Sequence, residues 1–139
     1  MKSLVLITFL FSTSLFACPN ISGSYSCQLN SSSSLKEITQ TPTGYIINSN
    51  GIEKEYFTDN KGYEIPATDS YKNAIVTSFC KDEQFIVDFK ATILYEGSEI
   101  AKEVARTTYE IDGDDLIILR KTKMKGVPLP VQKYLCTKI

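Results

Sequence analysis

The chain has no histidine, no tryptophan and only two methionines among its 139 residues. Histidine is the usual general base near neutral pH and the commonest metal ligand, so enzymes and metal sites built on imidazole are excluded. No two cysteines form a C-x-x-C pair, which removes the other common zinc signature. No metal and no cofactor are therefore expected. A charge excess is also missing, with 15 basic side chains against 16 acidic ones. Such a balance exerts no long-range pull on a phosphate backbone or an anionic membrane, and argues against a nucleic-acid partner. Beyond the first 17 residues no apolar run approaches the 18 or so needed for a membrane-spanning helix.

Those first residues have a different character. Lys2 precedes an apolar stretch from Leu4 to Phe16, broken by Ser12-Thr13-Ser14. Its length of roughly 13 residues suits the core of an export signal and is too short to cross a bilayer. Residues 1–17 read as a signal peptide, and residues 18–139 as one exported domain, secreted or periplasmic. Cleavage after Ala17 would leave 122 residues and a net charge of −2, enough chain for a single hydrophobic core. The junction Leu15-Phe16-Ala17-Cys18 also resembles a bacterial lipobox, although Phe16 stands where a small or β-branched residue is usual. Both a cleaved soluble product and lipid anchoring through Cys18 remain open at this point.

The cysteines bear on that choice. Cys18, Cys27, Cys80 and Cys136 in an exported chain imply two disulfides, whereas a lipid on Cys18 would leave an odd thiol. Sequence allows three connectivities. A local Cys18–Cys27 bridge would require the chain to double back around Pro19 to Gly23. If Gly23 to Leu29 is a strand, long-range bridges from this segment to Cys80 and Cys136 are preferred.

Alternation is the dominant pattern of the remainder. Tyr25, Cys27 and Leu29 alternate with polar residues. Phe85, Val87, Phe89, Ala91, Ile93 and Tyr95 fill six successive odd positions, a period of two that marks a half-buried strand. Turn signals separate such runs: Thr41-Pro42-Thr43-Gly44, Asn50-Gly51, Asp59-Asn60-Lys61-Gly62, Lys81 to Gln84 and Asp112-Gly113. Asn30 to Ser34 reads as a polar loop, and Gly126 to Pro130 as another. Pro66 marks an edge, a bulge or a covering loop between Gly62 and Asn73, because proline cannot donate to a sheet ladder. Ile100, Ala101, Val104 and Ala105 fit a single helical turn behind Ser98, yet Ala105, Thr107, Tyr109 and Ile111 alternate, so a strand from about Ile100 to Ile111 is expected. About ten strands result. The fold class is all-β and antiparallel, an up-and-down meander forming a barrel or a strongly curled sheet, with a β-sandwich as the alternative. Closure would place the first strand beside the last.

Ser22-Gly23-Ser24-Tyr25, at the head of the first strand, resembles the Gly-x-Trp signature of lipocalins and related calycin barrels, with tyrosine in place of tryptophan. The resemblance implies a cup whose closed end is plugged by this aromatic and whose interior takes a small apolar ligand. Lipocalins usually carry a helix beside the barrel, and none can be placed here. The inward row of such a cup would include Tyr25, Phe85, Val87, Phe89, Ile93 and Tyr109, the candidate ligand-lining residues.

Other candidate chemistry has simpler readings. Asp112-Gly113-Asp114-Asp115 concentrates carboxylates but lacks the alternate spacing and distal glutamate of a calcium loop, so a hairpin turn accounts for it. Glu96 with Glu99, and Asp82 with Glu83, have the residue types of a glycosidase pair but fall in expected turns. Ser31 to Ser34 has no partner base. Lys121, Lys123 and Lys125 read as a solvated strand face. Asn20-Ile21-Ser22 and Asn30-Ser31-Ser32 match the glycosylation sequon, which matters only in a eukaryotic secretory route. A non-catalytic, exported binder of a small apolar ligand is the leading expectation. The alternative is a disulfide-braced interaction or inhibitor module contacting an envelope protein through an exposed patch near Tyr56, Tyr63 and Tyr71.

Overall fold

Alternating side chains and tight turns generate a continuous series of strands. The computed structural model describes residues 18–139, so the expected signal peptide lies outside the described residues. Its strands are β1 (Gly23–Leu29), β2 (Ser32–Thr41), β3 (Gly44–Ser49), β4 (Ile52–Phe57), β5 (Gly62–Ile65) and β6 (Tyr71–Lys81). They continue as β7 (Gln84–Tyr95), β8 (Ser98–Asp112), β9 (Asp115–Met124), the short β10 (Val127–Pro128) and β11 (Gln132–Lys138). No helix occurs among the described residues. All pairings are antiparallel, in the order β4-β3-β2-β1-β11-β9-β8-β7-β6-β5, with β10 beside β9. This is one up-and-down sheet curled into a half-barrel, not a sandwich. The first strand lies against the last, with Cys27 opposite Cys136.

Turn chemistry sets the registers. Asn50 and Gly51 both take positive φ, 50° and 87°, as a two-residue hairpin loop requires. The Asp112–Asp115 segment is likewise a hairpin turn, with Asp112 opposite Asp115 and Gly113 at φ 63°. Two local expectations are corrected and one ambiguity is resolved. β2 begins at Ser32, because Asn30 at φ 55° allows a tight turn where a loop through Ser34 was expected. The expected strand at Ile100 to Ile111 is present and starts at Ser98, since ladder pairing to both β7 and β9 outweighs a short apolar coincidence at helical spacing. Val127–Pro128 pairs with Met124 and Lys123, so the 126–130 loop contains a two-residue strand.

Both disulfides are long-range: Cys18–Cys80, at a sequence separation of 62, and Cys27–Cys136, at 109. Each stabilises the fold by about 2–4 kcal/mol, chiefly by restricting the unfolded chain. Cys18 Sγ is thus bonded to Cys80, and a thioether lipid would need that same sulfur.

The opening segment closes one end of the curled sheet. Ile21 is fully buried. The Tyr45 hydroxyl donates to the Pro19 carbonyl, the Tyr25 hydroxyl to the Ile21 carbonyl at 3.1 Å, and the Gln40 amide to Ser22 Oγ at 3.0 Å. Behind this plug Phe85 packs on Tyr45 and Tyr109, with ring centroids 4.3 and 5.2 Å apart. Such aromatic pairs contribute about 0.5–1.5 kcal/mol each beyond the area they bury. Leu116, Ile118, Ile38 and Ile47 complete a core that joins β2 and β3 to β9 across the concave face. This end is solid.

Candidate ligand cleft

The other side of the half-barrel is unfilled. β4 and β5 are consecutive in sequence yet form the two margins of the sheet, unpaired with one another. The link between them is held at both sides, by the Thr58 amide on the Thr43 carbonyl and the Asn60 amide on the Ser78 carbonyl, each at 3.0 Å. The margins meet only through side chains there, with the Phe57 and Tyr63 rings 5.3 Å apart. The Tyr63 hydroxyl donates to Asp59, which holds that carboxyl below the usual carboxylate range. Behind this seam lies a cleft of about 580 Å3, within the size range that accommodates small organic ligands.

One glycine shapes the margin. A Cβ at Gly44 would stand 1.8 Å from the Tyr56 carbonyl oxygen. Only glycine lets β3 and β4 approach this closely, and Tyr56 is one of the lining residues.

Two kinds of wall face each other. Ile65, Val76, Val87 and Phe89 supply apolar surface, with Tyr71 edge-on to Phe89 at 6.0 Å. Lys36, Lys54 and Arg120 line the same space, together with Tyr56, Tyr109 and Tyr134. The ladders explain how the cations get there. Ile38, Ile47, Leu116 and Ile118 are core positions, and Lys36, Lys54 and Arg120 continue their inward rows at period two or directly across the ladder.

The electrostatics differ from those of a solvated surface. Burial, then the neighbouring Lys54 charge, lowers the pKa of half-buried Lys36. The Lys36 ammonium donates to Ser49 Oγ at 2.9 Å. Arg120 Nη2 pairs with Glu103 Oε1 at 3.0 Å, and Arg120 lies on a wall shared with a second depression of about 600 Å3 bordered by Leu129 to Lys133. Burial raises the pKa of both Tyr56 and Tyr109, and in each case the Arg120 charge opposes it. These phenols are therefore protonated donors around a guanidinium.

The chain matches no known protein-family model, no curated protein and no solved structure. Its geometry alone carries the functional reading.

Of the six residues expected to line a ligand site, Val87, Phe89 and Tyr109 stand on the cleft wall. Tyr25 and Phe85 face the same concave side but belong to the solid closed end. Ile93 sits farther along β7, paired with Tyr71 and Ala101, and is not among the lining residues. The charged pairs in turns are not brought together as acid and base: Glu99 forms an ion pair with Lys72, and Asp82 and Glu83 are the exposed tip of the β6–β7 hairpin. Lys36, Lys54, Arg120 and Tyr134 were missed. For the three cations the available signal was a charge standing where alternation calls for an apolar side chain.

Proposed function

We propose that this chain is a non-catalytic carrier, exported across a membrane, that holds a small apolar ligand in the cleft behind the β4–β5 seam. The observation that carries this reading is a cavity of about 580 Å3 inside a sheet that is otherwise packed solid at its far end. Two disulfides fit an oxidising, exported setting. The curled meander, with Gly23 and buried Tyr25 at the closed end, is compatible with the lipocalin-like resemblance. The interaction-module reading called for an exposed tyrosine patch. Tyr56, Tyr63 and Tyr71 converge on the cleft instead, which favours the carrier.

The test is titration of the oxidised protein with a neutral, environment-sensitive naphthylamine dye. Saturable binding at one site, weakened by the cleft-filling substitution Val76→Trp, is the expected result. Absence of saturable binding, or binding untouched by Val76→Trp in a folded variant, would count against the proposal.

A further inference from the structure

Lys36, Lys54 and Arg120 enter one cleft from three strands, and only Arg120 has a carboxylate partner among the described residues. Glu103 accepts from Arg120, so the inward rows leave two cations uncompensated. Glu55 and Glu64 also border the cleft, but they occupy the outward rows of its two margins; Lys54, exposed like them, is on an inward row at the rim, and Lys36 is half-buried deeper in. Lys36 and Lys54 lie on β2 and β4, either side of β3, where Lys36 faces Ser49 and Lys54 faces Ile47. They lie on the same face two strands apart, and the Lys54 charge reaches Lys36. A half-buried ammonium beside a like charge is unfavourable unless an anion joins it. Among the described residues no carboxylate is paired with either lysine.

The donors around this space are all of one kind. Two ammonium groups, one guanidinium and the protonated phenols of Tyr56 and Tyr109 present N–H and O–H groups inward. The opposite wall, with Ile65, Val76, Val87 and Phe89, is mainly apolar and carries no charge on its inward rows, its polar groups there being the hydroxyls of Ser78 and Thr107 and the Tyr71 phenol. A wholly apolar ligand would leave the cations unpaired, and a small hydrophilic anion would leave the apolar wall uncovered.

We infer that the ligand is an amphipath with a single anionic headgroup, a carboxylate or a phosphate, seated between Lys36, Lys54 and Arg120 with its apolar tail along Val76, Val87 and Phe89. This inference rests on the cleft being a ligand site, and adds the chemistry of the ligand. Charge-assisted hydrogen bonds to a carboxylate or phosphate are roughly twice as strong as neutral ones, so headgroup charge should dominate ranking among ligands of equal tail length.

The experiment is displacement of the neutral dye by dodecanoate, dodecyl phosphate, dodecanol and dodecylamine, each below its micelle-forming concentration. Either anion should compete at least tenfold better than dodecanol, with dodecylamine weakest, and the stronger of the two names the headgroup. In the Lys36→Gln/Lys54→Gln double variant the anions should fall to the level of dodecanol, while dodecanol itself is unchanged. The Lys36→Arg/Lys54→Arg variant should keep the preference for anions. Equal competition by dodecanol and both anions in the unmodified protein overturns the headgroup inference while leaving the cleft a ligand site. Failure of the dye to bind at all defeats the underlying carrier reading and the inference with it. The ranking on the unmodified protein decides the matter even where a variant does not fold.

Discussion

Phe85 and Phe89 occupy the same face of β7, four residues and about 13 Å apart along the strand, yet they serve different ends of the molecule. Phe85 is fully buried, in contact with the rings of Tyr45, Tyr56 and Tyr109. Phe89 is only half-buried and looks into the cleft, with Tyr71 against its edge. One strand thus contributes to a solid plug and to an open wall without any change in its alternation. What differs is the opposite side. At the closed end the segment from Cys18 to Ser22 and the inward residues of β2 and β3 fill the concavity. At the open side β4 and β5 part company, and nothing from the described chain fills the gap.

The largest expected contrast lies between those two phenylalanines. Phe85→Ala should cost about 3–5 kcal/mol, the usual loss for a buried aromatic that leaves a cavity. Phe89→Ala should cost only about 1 kcal/mol, because part of the ring already faces open space and less apolar area is lost. Urea unfolding of both variants measures the difference, and equal losses would erase the distinction between plug and wall. Phe89→Ala should nonetheless weaken dye binding, which Phe85→Ala would affect only through loss of fold.

Removing the clasp comes next. The Cys18→Ser/Cys80→Ser variant should lose about 2–4 kcal/mol, since the bridge restrains a long loop of the unfolded chain. It should also loosen Pro19 and Ile21 from the closed end while leaving the β7–β9 ladder intact. Hydrogen exchange would show early loss of protection around the start of β1 and the end of β2. Uniform loss across the sheet would mean that the opening segment is no separate plug.

Much of this was legible in the chain. The period-two rows of β1, β7 and β8, and the turn at Asn50-Gly51, follow from local physics, and they give the class and most of the registers. The long-range disulfides followed because a strand from Gly23 holds Cys27 away from Cys18. The cleft did not follow. Its existence depends on β4 and β5 failing to pair, which a strand pattern does not encode. Its basic wall depends on which alternate row of β2, β4 and β9 turns inward. Lys36 and Lys54 read as ordinary solvent-facing charges until Ile38 and Ile47 are known to be core residues. Arg120 was hidden in the same way behind Ile118. The ambiguity at Ser98 to Arg106 was resolved only by the neighbours on either side of β8.

Alkaline pH gives a smaller effect, to which the closed end contributes alongside Tyr56 and Tyr109 on the cleft wall. Burial pushes the Tyr45 phenol up to about 12 and raises Tyr25 as well, against an ordinary value of 10.0. A phenol whose folded pKa lies above its unfolded one favours the folded state fully below the unfolded value. That contribution is lost as pH climbs from about 10 toward 12, because the unfolded chain releases its proton first. Denaturant midpoints should therefore fall over this window. Tyr45→Phe should flatten the fall and cost about 0.5–1.5 kcal/mol at neutral pH through the lost hydrogen bond to Pro19. An unchanged pH profile in this variant would show that Tyr45 is not the group responsible.

The smallest effect on stability should come from the cleft itself. Lys36→Met replaces a half-buried cation by a side chain of similar length, removing the repulsion from Lys54 and the cost of partial desolvation along with the hydrogen bond to Ser49. These effects oppose one another, so unfolding free energy should change by no more than about 0.5 kcal/mol, in the stabilising direction. Binding should respond far more, with anionic amphipaths losing their advantage over the neutral alcohol. A residue that costs nothing to remove from the fold but governs ligand ranking is held there for the ligand. Were Lys36→Met instead to destabilise by as much as the loss of the Cys18–Cys80 bridge, Lys36 would belong to the scaffold, and the two ends of the half-barrel would not differ in the way proposed.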